Sequence, residues 1–329
     1  MTRALRDLTV HLPLVCLYAM GEVEFLNPNS QTPRFLPRVP ATQVSAVPSK
    51  LALVVAADPE VAGVMRSVLK SDEWQIVYAE DNRAAFRLTE ARPIDLIVTG
   101  SKSSGREDLE LLRQIRRIRP HIRLIILTDE STPADVVTAM RERAFSYFSK
   151  PFSTASLAEM LGVAAREPAW DDGIELISAT ADWINVIARC DKKTADRLVQ
   201  FFHEMADLPE PEKTDVATAF REMLLNAIEH GGNFDPNQYV EVAYVRASKM
   251  VLCRIKDPGQ GFSLEEIQHA AINNPAYDPI RHVLFREARG LRPGGYGLLM
   301  AKHLVDELLH SEKGNEVLLV KYVPRAVLA

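Results

Sequence analysis

From Leu51 onward, apolar and polar positions alternate in blocks. The run "LALVVAA" is apolar throughout, as a strand covered on both faces would be, and "EVAGVMRSVLK" spaces its apolar residues for a helix. The alternation repeats in "WQIVYAE" and "RAAFRLTEA", "IDLIVTG" and "EDLELLRQIRRI", "RLIILTD" and "PADVVTAMRER", then "SYFSK" and "STASLAEMLGVAARE". Five strands alternating with five helices over residues 50–163 predict an α/β domain with a doubly wound, five-stranded parallel sheet. Chemistry in such sheets gathers at the carboxyl ends of the strands. The third strand ends at Gly100, which presents no side chain at all.

A break at "REPAWDDG" predicts a linker over 164–175, and the rhythm then changes. "IELISATADWINVIARC" alternates like strand material, "KKTADRLVQFFHEMADL" is an amphipathic helix, and "EKTDVATAFREMLLNAIEHGG" is a long one. Helical spacing puts Glu222, Asn226 and Glu229 on one face, and Gly231 and Gly232 end the helix. Two strands follow, "YVEVAYVRAS" and "MVLCRIKD", the second running into "DPGQGF". An irregular stretch, a glycine-rich helix start in "RPGGYGLLMAKHLVDEL" and a last strand "EVLLVKYV" complete a second α/β domain over 176–325.

The composition adds exclusions. A net charge of −5 disfavours a general nucleic-acid binder, whose phosphate partner attracts basic surfaces. Cys16, Cys190 and Cys253 form no CxxC pair and read as free thiols of a reducing compartment, which points to the cytoplasm. No apolar run reaches the ~18 residues of a membrane span. Residues 1–49 carry a short apolar core interrupted by His11 and then a Pro-, Ser- and Gln-rich stretch, so they read as a disordered or mis-annotated leader. Translation could start at Met1 or Met20.

Residues 50–163 resemble the receiver domains of bacterial response regulators, most specifically in "LTDESTPADVVTAMRERAFSYFSKPF". The resemblance makes Thr128 the switch hydroxyl, Tyr147 the switch aromatic and Lys150 the phosphate-contacting lysine, followed by Pro151. The acids are missing. Ala56 and Ala57 stand where receivers carry a Mg²⁺-binding acidic pair, and Gly100 stands at the phospho-accepting aspartate. The expectation is a pseudo-receiver, a docking surface in which Lys150 is structural or paired with Asp58, itself expected as a loop or cap residue ahead of Pro59.

Residues 176–325 resemble the GHKL (histidine kinase-like) ATPases. Three boxes carry the likeness, "REMLLNAIEHGG", "DPGQGF" and "GGYGLLMAKHLVDEL", and they are most similar to the anti-sigma-factor serine/threonine kinases. The resemblance implies an α/β-sandwich that binds ATP with Mg²⁺. Asn226 would ligate the metal, Asp257 would accept the adenine amino group, and Gly259 and Gly261 would let the backbone approach the base. Gly295, Gly297 and the adjoining Leu298 would form the phosphate loop at a helix N-terminus. Glu222 would be the catalytic base. Arg286, Arg289 and Arg292 fall in the segment that the family uses as a lid, and each reads equally as surface. His230 and His269 lack metal-ligand spacing.

The implied activity is phosphoryl transfer to a STAS-type anti-sigma antagonist, with a sigma factor as the alternative partner, either supplied in trans. Neither nucleic acid nor membrane is expected as a partner, and self-association into a homodimer stays open. Two other readings compete. One is a non-catalytic ATP-binding scaffold that sequesters a regulator. The other is a degenerate histidine kinase using "HEMADLP", in which His203 reads better as a helix-surface residue because the proline comes one residue late.

Overall fold

The computed structural model describes residues 50–56, 58–100, 104–166, 171–262, 270–275, 277–288 and 295–323. The leader expected over 1–49, with Cys16 and both candidate start methionines, lies outside them, as do Ala57, His269, Arg289 and Arg292.

The apolar runs of the first half become β1 (Lys50–Val55), β2 (Trp74–Ala79), β3 (Leu96–Thr99), β4 (Arg123–Thr128) and β5 (Ser146–Ser149). All pair in parallel, in the order β2-β1-β3-β4-β5. The helices between and after them are α1 (Pro59–Val68), α2 (Asn82–Ala91), α3 (Gly105–Ile118), α4 (Pro133–Arg141) and α5 (Thr154–Arg166). Local chemistry sets several of their starts. Ser104 with Glu107, and Thr132 with Asp135, form capping boxes that satisfy amides at the starts of α3 and α4. Both faces of the sheet are covered, which is why its strands read as unbroken apolar runs.

The second half supplies β6 (Ile174–Thr180), β7 (Trp183–Arg189), α6 (Lys192–Met205), α7 (Glu212–Asn226), β8 (Tyr239–Ala247), β9 (Met250–Lys256), α8 (Arg281–Ala288), α9 (Gly297–Leu304), β10 (Glu307–His310) and β11 (Glu316–Tyr322). Its strands form an antiparallel sheet in the order β10-β11-β9-β8-β7-β6. Alternate residues such as Val186, Val242, Cys253 and Leu319 are buried, so one face of the sheet carries the helices. This is the expected α/β layering.

The structure corrects the sequence reading at three places. The stretch after Phe262 is not wholly irregular: a 3₁₀ turn (Ala271–Asn273) and α8 form within it. Helix α9 stops at Leu304, because Val305 is extended and the next residues pair with β11 as β10. Helix α7 gives way after Asn226 to a π turn (Ala227–Gly231), closed by Gly232 N donating to Ala227 O at 2.9 Å.

The described residues form one compact unit. One continuous core runs from Leu53, Ile97 and Ile126 in the first sheet to Phe201, Phe220 and Val242 in the second. Met140 of α4 reaches the apolar cavity lined by Leu198, Phe201 and Phe220. Among the described residues, no helix is long and apolar enough to cross a membrane.

Candidate nucleotide site

Helix α7 buries Val216, Phe220, Met223 and Leu224 against the core, which leaves Glu222 and Asn226, one turn apart, on a flank. Helix α9 begins against that flank. A Cβ on Gly297 would stand 2.7 Å from Glu222 Oε2 and 3.8 Å from Asn226 Nδ2, so the glycine lets the first turn of α9 approach both side chains. The structure thus brings together Glu222, Asn226 and Gly297. Glu222 Oε1 also lies 3.6 Å from Arg221 Nη1. Leu298 anchors α9 in the core, and the helix start presents backbone amides and the positive end of its dipole. Glu229 falls within the π turn rather than in α7.

At the other side of the π turn stands Asp257, just past the end of β9. Its backbone is held on both sides: its amide donates to Asn315 O at 2.9 Å, and Asn315 Nδ2 donates to its carbonyl at 3.1 Å. The Gly259 amide donates to Asp257 Oδ1 at 2.8 Å. A Cβ on Gly231 would overlap the Asp257 carboxyl group, and one on Gly259 would stand 2.9 Å from Gly231 Cα. Two glycine backbones therefore form the walls around this carboxylate. Burial raises the Asp257 pKa above the ordinary aspartate value, against the opposing pull of the Gly259 amide and of Lys313. Gly261 has φ +80°, and a Cβ there would overlap Lys313 O, so the loop requires glycine. Cys190 packs beneath Gly232, and burial pushes its thiol up to about 11, which makes it an inert filler.

The segment between the two glycine loops is tied to the second one. Ala271 N donates to Gly295 O at 2.8 Å, with Gly295 itself at φ +94°. His282 of α8 is fully buried, edge-on to Tyr296 with ring centroids 4.4 Å apart. Asn274 holds it: Oδ1 accepts from the His282 amide at 3.0 Å, and Nδ2 lies 2.6 Å from His282 Nδ1. Sequence reasoning missed Asn274, His282 and Asn315, which lie outside the three boxes, and gave Gly231 only a helix-ending role. Arg286 lies in the last turn of α8. Among the described residues, no three His, Cys, Asp or Glu side chains are grouped to hold a metal ion. A Mg²⁺ nucleotide needs less from the protein, because phosphates and waters complete its shell, and the amide oxygen of Asn226 is a donor of the right class.

The corresponding end of the first sheet is built differently. Ala56 sits at φ 48°, and a Cβ on Gly100 would overlap Ala56 O. The backbone closes over the place from which a side chain at position 100 would project. Lys150 Nζ lies 3.0 Å from Asp58 Oδ2 and 3.1 Å from Asp129 Oδ1, so an ammonium stands between two carboxylates. Asp58 occupies the N-cap position of α1 but makes no capping hydrogen bond, its side chain being turned to Lys150. Thr128 is buried and donates to Glu130 O at 2.8 Å, and Tyr147 is buried beside Gly105. His203, on α6, lies 3.6 Å from Glu204 Oε1.

Comparison with known proteins fits this division. Residues 52–162 match the response regulator receiver domain, and residues 188–321 match the histidine kinase-like ATPase domain. The anti-sigma F factor of Geobacillus sp. (strain WCH70) is 33% identical over 118 residues, which cover 35% of this chain and 73% of that protein. The transcriptional regulatory protein GlrR of Escherichia coli (strain K12) is 25% identical over 122 residues, 36% of this chain but only 28% of that protein. A response regulator structure from Thermotoga maritima aligns at 21% identity with a TM-score of 0.31, covering 36% of this chain and 98% of that one. A histidine kinase-like ATPase domain implies ATP as ligand. The chain therefore belongs to the histidine kinase-like ATPase family, in the group that includes the anti-sigma F factors, and carries a response regulator receiver domain ahead of the ATPase domain.

Proposed function

We propose that this protein is an ATP-dependent serine/threonine kinase that acts on a STAS-type anti-sigma antagonist, with a sigma factor as the other candidate partner. The observation that carries this reading is the convergence of Glu222, Asn226 and the N-terminus of α9 at Gly297. Asp257, walled by Gly231 and Gly259, has the acceptor oxygens to select an adenine amino group. Gly295 and Gly297 bring amides to the phosphates, and Asn226 is the residue that would hold Mg²⁺. Bound ATP and its metal would supply the phosphoryl group and the neutralisation of its charge. Glu222 orients the partner's hydroxyl and takes its proton.

Glu222→Gln keeps the shape and loses the base. ATP affinity should hold within about twofold while transfer falls by about 10²–10⁴, the usual contribution of a general base. Wild-type protein that binds ATP and labels no partner would instead support the scaffold, and an acid-labile label lost on His203→Ala would support the histidine kinase. The receiver-like half is read as phosphorylation-incompetent, since Gly100 offers no carboxylate. Acetyl phosphate with Mg²⁺ should leave its intact mass unchanged, and a hydroxylamine-labile adduct would refute this.

A further inference from the structure

Strand β5 is the edge of the parallel sheet, so its outward backbone groups need partners. They find them on α6, in the other half of the chain. Arg197 Nε donates to Phe145 O at 2.8 Å and Nη2 to Ala144 O at 3.2 Å. One turn on, Gln200 Nε2 donates to Tyr147 O at 3.0 Å. A turn further, Glu204 Oε2 accepts from the Ser149 amide at 3.2 Å and from its hydroxyl at 2.5 Å. Residues 145, 147 and 149 alternate along one edge, and 197, 200 and 204 share one helix face. Three side chains thus stand in for a sixth strand. Arg197 is only 1% exposed, lies over the Phe145 ring and also holds Asp172 Oδ1 at 2.8 Å.

The same helix touches the nucleotide side. Phe202 stacks on Phe220 of α7, with centroids 4.0 Å apart and planes at 11°. Phe220 stands two residues ahead of Glu222. On the other side of the clasp, Ser149 is followed by Lys150, which holds Asp58 and Asp129. A chain of packed contacts therefore runs from the tip of the parallel sheet through β5 and α6 to α7.

We propose that the clasp between the β5 edge and α6 is a positioning element of the nucleotide site: the place of β5 sets α6, and α6 sets the face of α7 that carries Glu222 and Asn226. The receiver-like half is then part of the framework of the site, beyond the docking role read from its sequence. By linkage, occupancy of the site must in turn be felt at β5. The consequence for catalysis rests on the kinase reading, but the test does not.

Hydrogen–deuterium exchange on the full chain without nucleotide decides it. Gln200→Leu removes one donor from α6, and Ser149→Ala removes the hydroxyl from the receiver side. Both should raise exchange in Met223–Gly231 by about fivefold or more, because local opening there loses its support. Val98→Ala, a cavity in the core on the opposite face of the sheet, is the matched control for general destabilisation and should leave those amides within about twofold. Equal exchange in Met223–Gly231 across all three variants would overturn the proposal, as would no change in either clasp variant. A second measurement, ATP affinity by calorimetry, should weaken in the clasp variants and not in Val98→Ala, and equal affinity in all three would count against the clasp. If wild type binds no ATP the kinase reading fails, while the exchange result still stands on its own.

Discussion

Glycine does opposite work at the two strand ends of this molecule. At the tip of the parallel sheet, the missing side chain of Gly100 lets the Ala56 carbonyl close over the position, and Lys150 fills the space between Asp58 and Asp129 with an ammonium. In the ATPase domain, the missing side chains of Gly231, Gly259 and Gly297 make room around Asp257, Glu222 and Asn226. The first site is closed over by backbone where no side chain stands, while in the second, backbone comes close around functional side chains that remain.

The largest effect on ATP affinity is expected from Gly231→Ala. Its methyl would overlap the Asp257 carboxyl group close to the backbone, where the side chain cannot simply swing away. Displacing that acceptor should weaken ATP binding about 10- to 100-fold, roughly 1.4–2.7 kcal/mol. Calorimetry giving wild-type affinity would mean that Asp257 is not the adenine contact. Asp257→Asn should weaken ATP by a similar factor and narrow the preference over GTP.

In the closed site, Gly100→Ala should destabilise the protein by about 1–3 kcal/mol, since a methyl there meets backbone rather than a mobile side-chain end. Gly63, on α1 with nothing within 4 Å of its Cβ position, is the contrasting case. Gly63→Ala should stabilise by about 0.5–1 kcal/mol. Thermal melts moving in the same direction for both variants would break the distinction between a glycine that is needed and one that is merely present.

Much of this contrast was legible in the sequence. The five apolar runs read as strands, the bare tip at Gly100 was visible, and the three boxes fell on α7, the end of β9 and the start of α9. What escaped was set by tertiary contact. "ELLH" is too short to announce a strand and becomes β10 only by pairing with β11. The π turn ends at Gly231, whose place against Asp257 is a contact between distant segments. Arg197, Gln200 and Glu204 lie in a segment read only as an amphipathic helix. Periodicity separates apolar from polar faces, but it cannot say that a polar face meets the edge of another sheet.

The pH dependence of the nucleotide site sharpens the comparison by a smaller amount. Burial raises the Asp257 pKa, so the folded protein holds its proton to a higher pH than the unfolded chain does. The stability this group contributes is fully present below the unfolded pKa and is lost as pH rises through the folded one. The ionised carboxylate accepts a hydrogen bond from adenine more strongly than the protonated group does, so ATP affinity should fall as pH drops into the range just above that of an ordinary aspartate. The fall should be at most about tenfold per pH unit. Asp257→Asn should flatten this profile, and an unchanged slope would assign the titration elsewhere.

The smallest effect belongs to Lys150→Met. The ammonium is 36% exposed, Asp58 26% and Asp129 58%, so solvent screens both ion pairs. The hydrogen bond to Asp58 is the first cause of a raised Lys150 pKa, followed by an opposing burial cost and then by Asp129. The cation is thus favoured at every pH where the protein is handled. Its removal should cost about 0.5–1 kcal/mol at low salt, a melting shift of about 1 °C, and less at 1 M salt. If the lysine instead waited for a phosphoryl group, its loss would leave the resting protein as stable as before at either salt. A shift that shrinks with salt identifies Lys150 as an internal cation held between Asp58 and Asp129.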